Sequence, residues 1–258
     1  MDPDALLTIY LCIWLFVAGA ALGSFLDCAV WRWARGEAMF RGRSRCASCG
    51  ETLSAPELIP VVSFLISRGR CRRCGADIPA ECLWAELAGG AAWVCFGVRF
   101  GLSLELAQWL ILGALLLAVS LTDAAKRIIP DKLLIAMAAN RAVWLFALGQ
   151  PLWETVQGML ISCLVPAALL AFVLLAEKLM KKEAMGGGDI KLLLALALYL
   201  SWPELLLTLL GGCLLGIVGG VLGSKRGAVP FGPYLSAAAV LAACFGAPLV
   251  GWYLSLLG

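Results

Sequence analysis

Two aspartates in an otherwise apolar sequence are the side chains best placed to carry out chemistry. Asp123 occurs in the stretch LTDAAKRIIPD, and Asp189 follows three glycines in GGGDIK. The 258 residues include no histidine, which excludes Ser-His-Asp catalysis, Cys-His catalysis and the histidine-ligated metalloprotease motifs. Any catalysis by this chain must therefore use carboxylates, lysines or thiolates.

The contexts of the two aspartates allow both a catalytic and a structural interpretation. Asp189 could cap the helix that follows it, but Gly186, Gly187 and Gly188 would add nothing to a cap. Glycines do permit unusual backbone angles and the close approach of another chain. A structural role is harder to explain for Asp123, because an acid at a helix C-terminus meets the negative end of the helix dipole. Two carboxylates at one depth can share a water and a proton, as in aspartic proteases.

The helix ends also predict how such a pair would share its proton. The positive end of a helix dipole favours an ionised carboxylate, and Asp189 stands at a helix N-terminus. The negative end favours a protonated carboxyl group, and Asp123 stands at a C-terminus. These positions predict Asp189 as the first general base and Asp123 as the first acid.

Four cysteines in a polar segment form a second candidate site. Cys46 and Cys49 occur in CASCG, Cys71 and Cys74 occur in CRRCG, and 21 residues separate the two pairs. Two residues between cysteines let both sulfurs converge on one metal ion, and four thiolates suit tetrahedral zinc. We expect a structural zinc that folds this loop, which has little core of its own. The alternative of two disulfides or a redox dithiol is disfavoured in the reducing cytosol.

The composition places these sites in a membrane protein. The chain is 62% hydrophobic and 14% charged, with a mean hydropathy of +0.93, whereas soluble domains are about a quarter charged. Apolar segments of about spanning length lie near residues 5–30, 82–100, 104–122, 132–149, 154–177, 189–202, 204–223 and 232–257. We therefore predict an all-α polytopic membrane protein with about eight transmembrane helices and a zinc-stabilised cytoplasmic loop between the first and the second.

The basic residues predict the orientation of the chain. Nearly all of the 20 lysines and arginines lie on alternate connections, and Arg99 and Arg141 are the exceptions. Because the basic side is cytoplasmic, both termini are expected outside, and both aspartates at the cytoplasmic face. The acidic start MDPD argues against a signal peptide. The net charge of +3 is spread over several loops and does not indicate nucleic-acid binding.

The order of apolar and polar segments divides the chain into three expected parts. Residues 1–30 are expected to form the first transmembrane helix, residues 31–81 the cytoplasmic zinc-binding loop, and residues 82–258 a transmembrane aspartyl protease core if the acids are catalytic. The main rival from the residues alone is a scaffold or transporter with a cytoplasmic docking module. A transporter should carry polar residues near mid-span and repeated halves, whereas the acids here cluster at one face.

Several segments resemble bacterial type IV prepilin peptidases in the same order along the chain. GGGDIK matches the Gly-x-Gly-Asp signature of intramembrane aspartyl proteases, and IPVVSFLISRGRCRRCGADI contains the second cysteine pair. The other matching segments are GSFLDCAVWRW (23–33), AEL (85–87), DAAKRIIPD (123–131) and VPFGPYL (229–235). Together these segments cover nearly the whole chain.

The resemblance implies a bifunctional enzyme of the bacterial inner membrane. Such enzymes cut the basic leader from type IV pilin and type II secretion pseudopilin precursors at the cytoplasmic face. They then methylate the new N-terminus with S-adenosylmethionine. The resemblance makes Asp123 and Asp189 the catalytic acids, and the four cysteines the zinc ligands. Asp27 replaces the family's asparagine, and WRW replaces a YRLP-like end, in a region linked to methyl transfer. The alternatives are a peptidase without methyl transfer and a different Gly-x-Gly-Asp intramembrane protease.

A few further acids are candidates for supporting roles. Glu86 lies inside an apolar segment, where it could serve methyl transfer or pair with an arginine. Asp131, Glu177 and Glu183 could bind the positive charge of a leader, although each is also explained as a solvated helix-end residue. Asp131 follows Pro130 and is expected to be the N-cap of the next helix.

Overall fold

The computed structural model describes residues 3–39, 42–181, 185–222 and 230–257, and within these ranges the regular structure is helical. Glu183, Val229 of the VPFGPYL motif and the first two residues of MDPD lie outside the described residues. The chain divides into two compact units, residues 1–106 and residues 107–258. The all-α class predicted from the sequence is confirmed.

The first unit contains two long helices and a small loop module between them. Its helices are α1 (Pro3–Ala34), α2 (Val62–Ser67) and α3 (Ala80–Phe100). A single 3-10 turn, Ala55–Leu58, precedes α2. Helices α1 and α3 pack closely through glycines, because a side chain at Gly19 or Gly23 would collide with the α3 backbone at Gly89 or Ala85. Small residues at such contacts let two helix backbones approach in a membrane.

Seven further helices are described in the rest of the chain, and apart from the first residues of α4 they belong to the second unit. They are α4 (Leu104–Lys126), α5 (Asp131–Ala147), α6 (Leu152–Ser162), α7 (Leu164–Met180), α8 (Gly187–Leu196), α9 (Trp202–Leu222) and α10 (Gly232–Leu257). Helix α4 starts at the end of the first unit, and residues from Ala107 onward belong to the second. Glycines again bring two helices together, since Gly212 of α9 lies against Leu235 of α10.

Five helical segments of the described residues are long and apolar enough to cross a membrane, whereas the sequence predicts about eight. They are Ala5–Ala34, Leu104–Lys126, Leu152–Met180, Trp202–Val221 and Gly232–Leu256. Helix α5 has 17 residues and α8 has ten, and both fall short of the roughly 20 that a crossing needs. Helix α3 is long enough but carries Glu81, Glu86 and Arg99. The polytopic architecture is confirmed, and the count of eight is not.

A partly buried polar network ties α4 and α5 to the turn that follows α8. The Asn140 side chain donates hydrogen bonds to the Gln108 carbonyl at 3.2 Å and to the Tyr199 hydroxyl at 2.9 Å. Tyr199 donates in turn to the Met137 carbonyl at 2.6 Å, and Arg141 donates to the Leu198 carbonyl at 2.8 Å. Because buried polar groups must find partners, these bonds restrict how α4 and α5 pack against this turn. The network therefore fixes the end of α8, the helix that carries Asp189, relative to α4, the helix that carries Asp123.

Candidate active site and metal centre

Asp123 is held at the end of α4 by the first residue of α10. The side chain is only 7% exposed, and one carboxylate oxygen, Oδ2, accepts a hydrogen bond of 2.8 Å from the backbone N–H of Gly232. The guanidinium of Arg127, just beyond α4, also acts on this carboxylate. Sequence reasoning placed Asp123 at the end of a helix, and the structure confirms that position. It missed Gly232, although the VPFGPYL motif was a signal for it.

Asp189 lies in the first turn of α8, and the negative charge of Asp123 acts on its carboxyl group. Gly186 is the N-cap of α8, and the Asp189 amide donates to its carbonyl at 3.1 Å. Asp189 lies outside the five candidate spans. Burial, together with the negative charge of Asp123, raises the pKa of Asp189 to about 6. The structure therefore brings the two acids close enough for the charge of one to hinder ionisation of the other.

The three glycines before Asp189 have different surroundings. Gly187 faces open space, because an added Cβ atom would meet nothing within 4 Å. An added Cβ at Gly188 would lie 3.4 Å from Ile129, and one at Gly186 would lie 3.2 Å from the Asp189 carboxylate. Gly186 and Gly187 are both exposed. This loop thus leaves exposed backbone beside a partly buried acid.

An ion pair joins the start of α5 to α8 near the same acids. The Lys191 ammonium donates to the Asp131 carboxylate at 2.8 Å, and both side chains are more than half exposed. Asp131 is the first residue of α5, whose N-cap is Pro130, so the predicted capping role for Asp131 is wrong. Proline cannot cap with a side chain, and the carboxylate bonds to α8 instead. An exposed pair of this kind contributes at most about 1 kcal/mol.

The four predicted metal ligands converge in the first unit. The sulfur atoms of Cys46, Cys49, Cys71 and Cys74 lie within 4.8 Å of one another, and Cys46 Sγ is 3.9 Å from Cys74 Sγ. A zinc ion bound at about 2.3 Å by four tetrahedral sulfurs separates those sulfurs by about 3.8 Å. All four cysteines are free, and a disulfide would need about 2.05 Å. The donor set therefore fits zinc in both chemistry and spacing.

The two cysteine pairs form matching turns that aim their sulfurs at one point. In the first turn, Cys46 donates its amide to the Glu51 carbonyl, and Gly50 donates back to Cys46. In the second turn, Cys71 donates to Ala76, and Gly75 donates back to Cys71. Each turn needs its glycine, because Gly50 has a φ of 73° and Gly75 a φ of 72°, which side chains disfavour.

Backbone amides inside the first turn favour the thiolate form of its first cysteine. The N–H groups of Cys49 and Ser48 lower the pKa of Cys46 to about 6. Metal ligands must be deprotonated, and the first turn favours that form for Cys46. At Cys74 the Ala76 amide acts in the same direction, but burial and the neighbouring thiols outweigh it and raise the pKa to about 11. An ion pair of 3.4 Å between Arg73 and Glu51 links the two turns.

A cavity of about 230 Å³ lies in the first unit beside the cysteine module. Its lining includes Asp27, Trp31 and Arg32 from α1, Phe64 from α2, and Glu86 from α3. Glu86 is buried and accepts a hydrogen bond of 2.6 Å from the Val61 amide, not from an arginine. Arg32 is also buried, and it donates to two backbone carbonyls of the loop. The cavity thus combines acidic, basic and aromatic side chains.

Comparison with known proteins identifies the family. The model described as "Bacterial Peptidase A24 N-terminal domain" matches residues 17–100, and the model described as "Type IV leader peptidase family" matches residues 110–221. A "Prepilin leader peptidase/N-methyltransferase" of Bacillus subtilis is 32% identical over 94% of this chain and 97% of its own length. The chain belongs to the type IV leader peptidase family.

Two other relatives are similar to this chain over most of its length. Proteins with the same name from Pseudomonas putida and Stutzerimonas stutzeri are 31% and 34% identical. The match covers 94% of this chain and 93% of the first relative, and 84% of this chain and 76% of the second. No solved structure matches the chain.

Each of the two candidate sites lies within one of the two segments that match this family. The cysteine module and its cavity fall within the N-terminal domain match, and Asp123 and Asp189 fall within the peptidase match. Gly232 lies beyond the end of that second match. Together with its five apolar helices, this membership makes the chain a multi-pass bacterial membrane protein and argues against the scaffold and transporter alternatives.

Proposed function

We propose that this chain removes the basic leader peptide from type IV prepilins and then methylates the new N-terminus. The observation that carries the proposal is the electrostatic interaction between Asp123 and Asp189, which both lie within the matched peptidase segment. The relatives' shared name, prepilin leader peptidase/N-methyltransferase, supports both activities in one chain. Pseudopilin precursors of type II secretion have the same leader chemistry, so we include them among the substrates.

In the proposed cleavage, the two aspartates act together on one water molecule. One carboxylate is ionised and removes a proton from the water, while the other is protonated and polarises the scissile carbonyl group. No covalent intermediate is required. The exposed backbone of Gly186 and Gly187 leaves room for an extended substrate segment beside Asp189, and this is the role that we assign to the glycines.

The basic leader would bind near the acids at the same end of the second unit. Glu177 lies near the end of α7, and Asp131 starts α5. Asp131 already pairs with Lys191, so a leader lysine or arginine would have to share or replace that partner. These acids and the cysteine module lie in or beside the connections that contain most of the lysines and arginines. We therefore assign the module and the dyad to the cytoplasmic face of the inner membrane, and both termini to the outside.

Zinc at the four cysteines would hold the loop of the first unit in its folded form. Structural zinc sites have four protein ligands and no open position for a reaction. The ion would tie the two turns together across the 21 residues between them. The walls of the neighbouring cavity include Cys46 and Cys71, so its shape depends on this fold.

We assign methyl transfer to the cavity of the first unit. S-adenosylmethionine supplies a methyl group on a positively charged sulfur. Asp27 and Glu86 place two carboxylates in the cavity wall, and Trp31 adds an aromatic ring, so these three side chains would contact the cationic sulfur, while the arginines of the lining would face other parts of the molecule. At about 230 Å³ the cavity is smaller than the roughly 300–1,000 Å³ of most ligand sites, so it would enclose only part of the molecule. The Glu86 carboxylate would orient the positively charged groups of S-adenosylmethionine. The hydrogen bond from the Val61 amide holds this carboxylate in place.

The direct test uses the purified chain in lipid vesicles with a prepilin and S-adenosylmethionine. We expect the substrate to lose the mass of its leader and then to gain the mass of one methyl group. Leader loss without methyl gain would restrict the function to peptidase activity. Cleavage inside the membrane helix would instead indicate a different Gly-x-Gly-Asp protease, and an unchanged substrate would contradict the proposal.

A further inference from the structure

We propose that Gly232 is a positioning residue that keeps Asp123 ionised, so that Asp123 is the first general base and Asp189 the first acid. The inference rests on the proposed cleavage function and adds a residue that lies outside the matched peptidase segment. It also reverses the order of base and acid that the helix ends alone predict.

A hydrogen bond at the start of α10 holds the Asp123 carboxylate. The first amides of a helix have no partner within that helix. In α10 the first amide belongs to Gly232, the next residue is a proline without an N–H, and the Gly232 amide donates to Asp123 Oδ2 at 2.8 Å. Asp123 therefore caps α10 from another helix. A helix N-terminus and an amide donor both favour a carboxylate over a carboxylic acid.

Only glycine fits at position 232 beside the Asp123 carboxylate. A Cβ atom added to Gly232 would lie 2.8 Å from Asp123 Oδ2, 3.0 Å from its Cβ and 3.1 Å from its Cγ. Contacts this short force the buried carboxylate to move, which would break its bond to the amide. Gly251 in the same helix has nothing within 4 Å of such an added atom, so α10 does not require glycine for its own sake.

Charged and polar neighbours distinguish the two aspartates. Burial disfavours the ionised form of both carboxyl groups. On Asp123, the Gly232 amide from α10 and the Arg127 guanidinium beyond α4 oppose this effect. On Asp189, the negative charge of Asp123 adds to it. When the pair holds a single proton, that proton therefore belongs on Asp189.

This arrangement gives a balanced sequence of proton transfers. Asp123 accepts a proton from water as the water oxygen bonds to the scissile carbonyl carbon, and Asp189 gives its proton to the carbonyl oxygen. The carbon–nitrogen bond then breaks, Asp123 returns its proton to the leaving nitrogen, and Asp189 regains one from the diol. The pair ends with its original single proton, and one water has been consumed.

The test compares Gly232→Ala with the matched control Gly251→Ala in the cleavage assay across a range of pH. We expect Gly232→Ala to lower kcat by about 10- to 100-fold, the effect of losing one hydrogen bond to a charged group. The acid limb of its pH profile should also move to higher pH, because Asp123 would be harder to ionise. KM should change little, and Gly251→Ala should behave as the wild-type chain.

The outcomes separate this inference from the proposed function. If the wild-type chain cleaves prepilin while Gly232→Ala keeps the wild-type kcat and pH profile, the inference is overturned and the function stands. If the wild-type chain does not cleave, the proposed function itself fails. Thermal unfolding in detergent reports whether Gly232→Ala folds. If it does not fold, a neutron structure of the wild-type chain decides: a proton on Asp189 supports the inference, and a proton on Asp123 overturns it.

Discussion

At the residue scale, the surroundings of each aspartate define its role more closely than its place in a helix. Sequence reasoning used the ends of the helices that contain Asp123 and Asp189. The structure adds a third helix, α10, whose first amide reaches Asp123 across 109 residues of sequence. A contact between positions so far apart leaves no local pattern, so the role of Gly232 could not be predicted from spacing.

The partly buried position of Asp189 predicts a pH-dependent effect on stability. Its pKa is about 6 in the folded chain and 3.8 without perturbation, so the folded state binds more protons between these values. Stability from this group is present below about pH 4 and is lost as the pH rises through 6. We therefore expect Asp189→Asn to be more stable than the wild-type chain at pH 8, with the difference shrinking as the pH falls to 4.

Unfolding temperatures in detergent at a series of pH values measure this difference. Glu154→Gln, an exposed carboxyl group in α6, is the matched control and should show no such trend. An Asp189→Asn chain that is less stable than the wild type at pH 8 would contradict the burial argument.

The exposed backbone of Gly187 predicts an effect on substrate binding without an effect on folding. An added Cβ meets nothing in the chain, but it would occupy space assigned to the substrate. We expect Gly187→Ala to weaken substrate binding by roughly 1–3 kcal/mol, the usual cost of one misplaced methyl group. KM should rise while the unfolding temperature stays constant. Gly158→Ala, at a similarly open position in α6, should leave both unchanged.

At the element scale, short helices explain why the predicted number of spans was too high. Apolar residues continue through the segments 132–149 and 189–202, but α5 and α8 end after 17 and ten residues. Hydropathy alone does not show where a helix ends inside an apolar stretch. The two cysteine turns were easier to predict, because Cys-x2-Cys-Gly specifies both ligand and turn.

The Tyr199 hydroxyl lies at the centre of the network that joins α5 to the turn that follows α8. It accepts a bond from Asn140 and donates one to Met137. Tyr199→Phe would leave both partners without this hydroxyl, so we expect a loss of about 1–3 kcal/mol in the free energy of unfolding. Denaturant titration in detergent measures the loss, with Tyr253→Phe at the exposed end of α10 as the control. Equal stability of the two variants would show that the network contributes little.

The cysteine module predicts a specific loss of metal. We expect Cys71→Ser to reduce bound zinc from about one ion per chain to nearly none, because zinc needs its four ligands. Cys213→Ser, at an exposed cysteine in α9, should retain the full zinc content. Metal analysis of the purified chains measures both. A Cys71→Ser chain with wild-type zinc would place the ion elsewhere.

At the scale of the whole molecule, the two units suggest that the two proposed activities can be separated. The cavity assigned to methyl transfer lies in residues 1–106, and both aspartates lie in residues 107–258. We expect Glu86→Gln to reduce methylation of a leaderless pilin while leader removal continues. Asp189→Asn should show the reverse. Loss of both activities in either variant would contradict the separation.

The central claim is that Asp123 and Asp189 form one catalytic pair, and single substitutions test it most directly. Asp123→Asn and Asp189→Asn should each abolish leader removal, measured as the mass of the prepilin after incubation, because neither carboxylate can act alone. Each variant should still methylate a leaderless pilin, which shows that it is folded. Glu154→Gln should cleave at the wild-type rate. Substantial cleavage by either aspartate variant would contradict the account.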